Sequence, residues 1–244
     1  MQAIHPHIEK DGFRLRGVEM SRIDAFSDVV FGFALTLLVV SLEVPRTYTE
    51  FHTALMGFFP FAICFTFLIM LWWAHYRFFR RFGLHDPATI VINAVLLFTI
   101  LFYVYPLKFL FYVANGHAGP NVFTSVYQPR EMMIVYSLGF AAIYFTFAAL
   151  NLNAWRQRQH LRLNPLETTL TLSYMADNIG VGAVGLLCCL IARLLPPEQA
   201  GYAGYFFFTI GMWKTIHGFV TKSRVRKARA RTSPDERHEL PHQM

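Results

Sequence analysis

The sequence predicts an all-α integral membrane protein. Of its 244 residues, 55% are hydrophobic and only 15% are charged, whereas a soluble domain carries about 25% charged residues. Apolar segments of roughly bilayer length alternate with short polar connections. All three cysteines lie inside apolar segments, so the sequence has neither a disulfide framework nor a zinc-binding spacing.

Six membrane-spanning helices are predicted in a transmembrane domain over residues 1–221, followed by a basic, disordered tail over residues 222–244. The predicted spans cover approximately residues 26–45, 51–74, 88–114, 131–153, 169–194 and 200–220.

The first span contains an acid near the membrane boundary. Its uncharged apolar run, from Val29 to Leu42, is shorter than the roughly 20 residues that a spanning helix needs. The helix must therefore include Asp28 at one end or Glu43 at the other. Such an acid costs about 3 kcal/mol on insertion scales and indicates a functional site. The alternative is an interfacial helix start with Ser27 or Asp28 as the N-cap.

The later spans carry helix breakers and small residues. Pro106 is expected to kink the third span or to end its buried part. Gly139 in the fourth span suits close contact between helices. Pro196 and Pro197 separate the fifth span from the sixth.

Basic residues are distributed unevenly between the two sides of the membrane. Most of the 22 Lys and Arg residues fall in the N-terminal segment, the second and fourth connections and the tail. Both termini are therefore predicted to be cytoplasmic. This topology accounts for the net charge of +7, so no nucleic-acid partner is expected. The basic tail suits contact with anionic membrane lipids, although a solvated tail with no further role fits the same composition.

The sequence has no enzyme signature. It contains no G-x-S-x-G, H-E-x-x-H or P-loop motif, and no nucleophile and base that can be paired. The chain is therefore not expected to be an enzyme or to hold a cofactor or a bound metal. The potassium-filter string TVGYG is also missing, so a channel with this sequence must select ions in another way.

One face of the first helix is an apolar stripe broken by a single hydroxyl. At about 100° per residue, Val29, Phe33, Thr36, Leu37 and Val40 share this face. Such a stripe is typical of ordinary helix packing. It also suits a ring of apolar side chains that closes a pore by dewetting.

The end of the second span places polar side chains level with Asp28. Trp72 and His75 are three residues apart and share a helix face. One interpretation is an aromatic belt with positive-inside anchors. The other is a buried cluster in which Asp28 accepts hydrogen bonds from His75 and from the indole of Trp72 or Trp73, because unsatisfied polar groups in lipid cost several kcal/mol.

Two strings resemble a known family. The R-x-x-x-F-S-D string at residues 22–28, followed by an apolar helix with a Thr eight residues after the Asp, is similar to the first span of the transmembrane protein 175 family of potassium channels. The W-x-x-H-x-R string at residues 72–77 supports the resemblance. It covers about the first 85 residues, and beyond them it depends on the number of spans and the basic connections.

This resemblance implies a homotetramer of six-helix subunits in which the first helices line a central pore. In the family, the apolar constriction lies five residues after the Asp, which is Phe33 here, and a hydroxyl ring that transiently meets K⁺ is at Thr36. Val40 would form a second apolar ring, and Leu37 lies between them on the same face. The residues implied to hold the pore helix without coordinating the ion are Arg22, Phe26, Ser27, Asp28, Trp72 and His75.

The sequence departs from the family pattern at two positions. Phe33 is bulkier than the Ile or Leu that is usual at the constriction, and Val29 stands where bacterial relatives often have Gly. The chain also carries one repeat where animal members carry two, which implies a prokaryotic homotetramer in the plasma (inner) membrane.

The expected function is a passive, leak-type channel that selects potassium over sodium. Its expected partners are further copies of itself, membrane lipids and permeant K⁺. Two alternatives stay open. One is a proton-coupled secondary transporter that uses Asp28, His75 and Asp177 as a relay. The other is a non-conducting membrane scaffold.

Overall fold

The computed structural model describes residues 8–40, 46–56, 58–114 and 122–231, and its regular elements are helices packed side by side. In order, these elements are α1 (Arg22–Val40), α2 (Tyr48–Met56), α3 (Phe58–Phe82), α4 (Pro87–Ala114), α5 (Gln128–Arg156), α6 (Pro165–Leu194), a 3-10 helix (Pro197–Phe208) and α7 (Thr209–Arg231). Among the described residues, four segments are long and apolar enough to cross a membrane: Phe61–Phe82, Pro87–Val104, Gln128–Arg156 and Pro165–Leu194. The predicted all-helical membrane protein is confirmed at this level.

The second and third predicted spans differ in detail from the helices observed. α3 continues beyond the predicted end of the second span, as far as Phe82. Pro106 lies inside α4, and the buried part of the helix does not end there, because Leu107 is buried. The hydroxyl of Tyr136 on α5 donates a hydrogen bond to the carbonyl of Pro106.

The region predicted as the sixth span begins as a 3-10 helix. Tyr202, Tyr205 and Phe208 are exposed at intervals of three residues, which is the period at which 3-10 side chains eclipse one another. Their rings stack with centroids 6.2 and 6.4 Å apart. Within this predicted span, the backbone becomes α-helical only from Thr209 onward.

The prediction of a disordered tail is wrong for residues 222–231, which complete α7. Ala228 is buried and Val225 packs against the hydrophobic core. Arg229 also donates a hydrogen bond from Nη2 to the carbonyl of Asp11 at 3.2 Å. These contacts hold the helix beyond the predicted boundary. Residues 232–244 lie outside the described part of the chain.

The most extensive contact between helices joins α5 and α6, and α4 packs on the same α5. Gly139 lets α5 approach α4 closely, as the sequence predicted. A Cβ at this position would lie 2.5 Å from Cδ2 of Tyr103 on α4, well inside van der Waals contact.

The first helix packs on α3 and α4 through one face only. Its buried residues are Ser27, Phe31, Ala34 and Leu38, whose spacing places them on one side of a helix. The start of α1 is capped reciprocally. Ser21 Oγ accepts from the Asp24 backbone N–H at 3.2 Å, and Asp24 Oδ2 accepts from the Ser21 N–H at 3.0 Å.

The start of α4 is fixed by Asp86, which precedes Pro87 at the first helical position. Asp86 Oδ2 accepts a hydrogen bond from the Thr89 backbone N–H at 3.2 Å, and Asn153 of α5 donates to the same carboxylate. Burial alone would raise the pKa of Asp86, but hydrogen bonds from Thr89, Gln157 and Asn153 outweigh it and lower the pKa to about 2.

A candidate ion pathway on the first helix

The face of α1 opposite its buried side is uncovered in the single chain. Phe26 and Phe33 are each 62% exposed, and Val29 is 67% exposed. Thr36 and Leu37 are exposed on the same face. Within the described part of the chain, the predicted stripe from Val29 to Leu37 is therefore not part of the packing, and it is available to lipid or to another copy.

Thr36 carries the one hydroxyl group of this exposed stripe. Its Oγ1 donates a hydrogen bond to the carbonyl of Gly32 at 2.9 Å. The hydroxyl proton is thereby used within the helix, and the lone pairs of the oxygen stay free to accept from water or to meet a cation. Phe33 lies about 4.5 Å along the helix axis from Thr36. The side chain of Val40 lies outside the described part of the structure.

A buried chain of hydrogen bonds connects α1, α4 and α3. Asn93 of α4 donates from Nδ2 to Ser27 Oγ at 3.0 Å, and Ser27 Oγ donates to the carbonyl of Ile23 at 2.7 Å. On the other side, His75 Nε2 lies 2.8 Å from Asn93 Oδ1. Since an amide oxygen can only accept, His75 donates from Nε2. Ser27, His75 and Asn93 are all buried, and each of the three side chains makes a hydrogen bond in this network.

Asp28 is bound to α3 by a second contact. Trp72 Nε1 donates to Asp28 Oδ1 at 2.8 Å, and Trp72 is the indole partner that the sequence predicted. The predicted bond from His75 to Asp28 is wrong, because His75 donates to Asn93 instead. The carboxylate and the Ser27 hydroxyl thus fix two neighbouring residues of α1 to two different helices.

Arg22 and Phe26 lie apart from this network. Both residues are exposed, on the uncovered side of α1.

Asn93 is the member of the network that sequence reasoning missed as a partner. Its signal was an amide inside an otherwise apolar run of α4, where a polar group needs a bond to another helix.

Comparison with known proteins places this geometry in a family. The family model described as endosomal/lysosomal potassium channel TMEM175 matches residues 22–103, which include α1, α3 and the Asn93 part of α4. A potassium channel of Marivirga tractuosa is 33% identical to the chain over 231 residues, covering 88% of this chain and 93% of the relative. The chain belongs to the TMEM175 family. The R-x-x-x-F-S-D string at residues 22–28 lies at the start of the matched region.

Further TMEM175 relatives agree with this assignment. A potassium channel of Chamaesiphon minutus is 32% identical over 96 residues, which are 36% of this chain and 47% of the relative. The crystal structure of a variant of the potassium channel MtTMEM175, in complex with a nanobody–MBP fusion protein, has a TM-score of 0.77 at 31% identity and covers 89% of this chain and 100% of that chain. A TMEM175 homologue from Chamaesiphon minutus has the same fold, with a TM-score of 0.53 at 22% identity, covering 80% of this chain and 96% of that chain. Since the TMEM175 family consists of channels, the prediction that the chain is not an enzyme is confirmed.

Proposed function

We propose that this chain is a potassium-selective, leak-type channel in which the α1 helices of four identical subunits surround a central pore. The observation that carries the proposal is the uncovered face of α1, with Phe33 62% exposed although the helix packs on two others. The relatives of this chain that are named potassium channels support the choice of ion.

Phe33 is proposed to form the narrowest ring of the pore, and Leu37 and Val40 to form further apolar rings. Four phenyl rings at one level exclude a fully hydrated cation and close the path when water leaves it. Phe33 is bulkier than the Ile or Leu that is usual at this position. In this proposal it is therefore the residue that sets the conductance.

Thr36 is proposed to favour K⁺ at this constriction. Four hydroxyl oxygens, one from each subunit, would replace part of the hydration shell of an ion that has been partly dehydrated by Phe33. K⁺ gives up its water more readily than the smaller Na⁺, so a ring of weak oxygen ligands discriminates between them. The hydrogen bond from Thr36 to Gly32 engages the hydroxyl proton and leaves the lone pairs of the oxygen available to the ion.

Asp28, Ser27, Trp72 and His75 are proposed to hold the pore helix, with Asn93 as the link that completes the network. These side chains lie on or beside the packed face of α1, which favours a positioning role over ion coordination. Arg22 and Phe26 are proposed to contact the neighbouring subunit, because both are exposed in the single chain.

The proposed topology has six spans, with both termini in the cytoplasm. Besides the four long apolar helices, α1 would form the first span, and the 3-10 helix with the start of α7 would form the last. The basic residues at the end of α3, between α5 and α6 and along α7 favour this orientation. The proposed location is the plasma membrane, where lipids cover the outer helices.

The decisive experiment is potassium and sodium flux into liposomes that contain the purified protein, followed by single-channel recording. Phe33→Ala is expected to raise the unitary current and to weaken selectivity, because the ring would lose its largest side chains. Phe98→Ala is the matched control, since Phe98 is 70% exposed on α4, and it should leave the current unchanged. Unchanged currents from a folded Phe33→Ala tetramer would refute the proposed constriction, and saturable flux coupled to a pH gradient would indicate a transporter.

A further inference from the structure

The residues that precede α1 form an ordered segment, which we call the strap (residues 8–17). A tight turn starts it, in which the backbone N–H of Glu9 donates to the carbonyl of Phe13 at 2.9 Å. Phe13 is fully buried, and its ring meets that of Phe82 at the end of α3 with centroids 5.4 Å apart. The strap is therefore packed against the helices and is not a loose terminal extension.

The first attachment of the strap is to Glu167, near the start of α6. The Arg14 backbone N–H and Nε lie 3.0 and 3.2 Å from Glu167 Oε1, and Arg16 Nη2 lies 2.7 Å from Oε2. The Glu167 side chain is completely buried. The same carboxylate completes a capping box with Asn164, so one side chain joins the strap to the first turn of α6.

The second attachment involves Arg81, near the end of α3, whose side chain is only 4% exposed. Arg81 Nε donates to Glu9 Oε2 at 2.9 Å, and the guanidinium also binds the carboxylate of Asp11. The guanidinium lies over the Phe13 ring at 4.8 Å. Arg229 of α7 adds its hydrogen bond to the Asp11 carbonyl, so the strap contacts α3 and α7 together.

The third attachment lies directly before α1. The Gly17 backbone N–H donates to the Arg80 carbonyl at 3.0 Å. A Cβ on Gly17 would lie 2.2 Å from the carbonyl oxygen of Phe79, so only glycine allows this approach. Ser21, which caps α1, is four residues further on.

We propose that the strap positions the first turn of α1 and so couples the end of α3, the start of α6 and the end of α7 to the opening of the pore. Glu167 and Arg81 are the positioning residues, and neither lies on the proposed ion pathway. This inference rests on the proposed function, because the end of α1 that the strap fixes would be the cytoplasmic mouth of the channel.

The structural test compares amide hydrogen exchange of the purified wild-type protein with that of the Glu167→Gln variant. Glutamine keeps the capping box of α6 but removes the charge that pairs with two arginines. Amides of residues 8–24 should exchange about ten-fold faster or more, and those of residues 31–38 should be unchanged. Glu131→Gln, at an exposed position in the first turn of α5, is the matched control and should change neither segment. Faster exchange confined to the start of α6, with the strap unchanged, would overturn the proposal.

A second variant separates a specific pair from general damage. Arg16→Gln leaves Arg14 bound to Glu167, so it should loosen the strap less than Glu167→Gln does. In the double variant Arg16→Gln with Glu167→Gln, exchange of the strap amides should be accelerated by less than the product of the two single accelerations. The reason is that both substitutions remove the same interaction. Independent, multiplying effects would show that the two residues do not act together.

The functional test is single-channel recording from the same variants. Glu167→Gln is expected to lower the open probability about three-fold or more, because four α1 helices must be held in place at once. The unitary K⁺ conductance and the K⁺/Na⁺ permeability ratio should stay unchanged, which a general loss of folded protein would not produce. Altered conductance or selectivity with normal open probability would overturn the positioning role. A wild-type protein that does not conduct would refute the proposed function, whereas the exchange comparison would still decide whether the strap holds α1.

Discussion

Removing the Asn93 amide should destabilise the protein by an amount that follows from its two bonds. In Asn93→Leu, the His75 N–H loses its acceptor while its side chain stays 98% buried. An unsatisfied buried donor costs about 1–3 kcal/mol. The bond to Ser27 adds about 0.6 kcal/mol, the mean for hydrogen bonds between membrane helices. Ser27 keeps its bond to the Ile23 carbonyl, so it adds no further penalty. The expected loss is about 1.6–3.6 kcal/mol.

The loss can be measured as a change in the melting temperature of the detergent-solubilised protein. A loss of about 1.6–3.6 kcal/mol corresponds to a decrease of about 3–14 °C for a chain of this size, at about 2–4 °C per kcal/mol. Asn178→Leu is the matched control, because among the described residues Asn178 Nδ2 bonds only to the Tyr174 carbonyl in its own helix, at 2.8 Å. It should change the stability by less than about 0.5 kcal/mol.

A double variant tests whether the unpaired donor is the cause. In His75→Phe with Asn93→Leu, no polar group is left without a partner at this position, and the new ring would lie between Phe31 and Phe79, which flank His75 at centroid distances of 5.4 and 4.6 Å. The melting temperature should return to within about 3 °C of the wild type. A double variant as unstable as the sum of its single changes would refute the reasoning, as would an Asn93→Leu protein that melts at the wild-type temperature.

Three further predictions follow from other contacts. Asp28→Asn should lower the yield of assembled tetramer in gel filtration more than it changes the K⁺/Na⁺ ratio, and the opposite ranking would move Asp28 into the pore. Asp86→Asn should lower the melting temperature at pH 7, and the difference should disappear as the pH falls from about 4 to about 2, because a carboxyl with a lowered pKa stabilises the folded state only while it is ionised. A difference that does not vary with pH would contradict this cause. Gly139→Ala should cost about 1–3 kcal/mol through overpacking against Tyr103. Gly211→Ala should not, because no described atom beyond its chain neighbours and its own helix backbone lies within 4 Å of the new Cβ. Equal effects of the two substitutions would contradict overpacking as the cause.

The two faces of α1 could be predicted from the sequence because a helix fixes the angle between its own residues. Phe33, Thr36 and Leu37 fall on one side and Phe31 and Leu38 on the other in any regular helix, and the structure has this division. The position of the Thr36 hydroxyl on the exposed face could be predicted for the same reason.

Contacts between distant segments could not be predicted in this way. Asn93 was one of several polar residues in apolar runs, and which of them meets His75 depends on the relative rotation of α3 and α4. Arg14 and Arg16 appeared only as charges that set the topology, since their partner Glu167 is about 150 residues away. The 3-10 helix was also missed, because its apolar composition is equally consistent with an α-helical span.

A density map of the protein in lipid bilayer discs tests the central claim most directly. We expect four copies around one axis, with Phe33 and Thr36 of each α1 turned toward that axis and ion density at the level of the Thr36 hydroxyls. A map in which this edge of α1 faces lipid, or packs against another helix of its own subunit, would contradict the account.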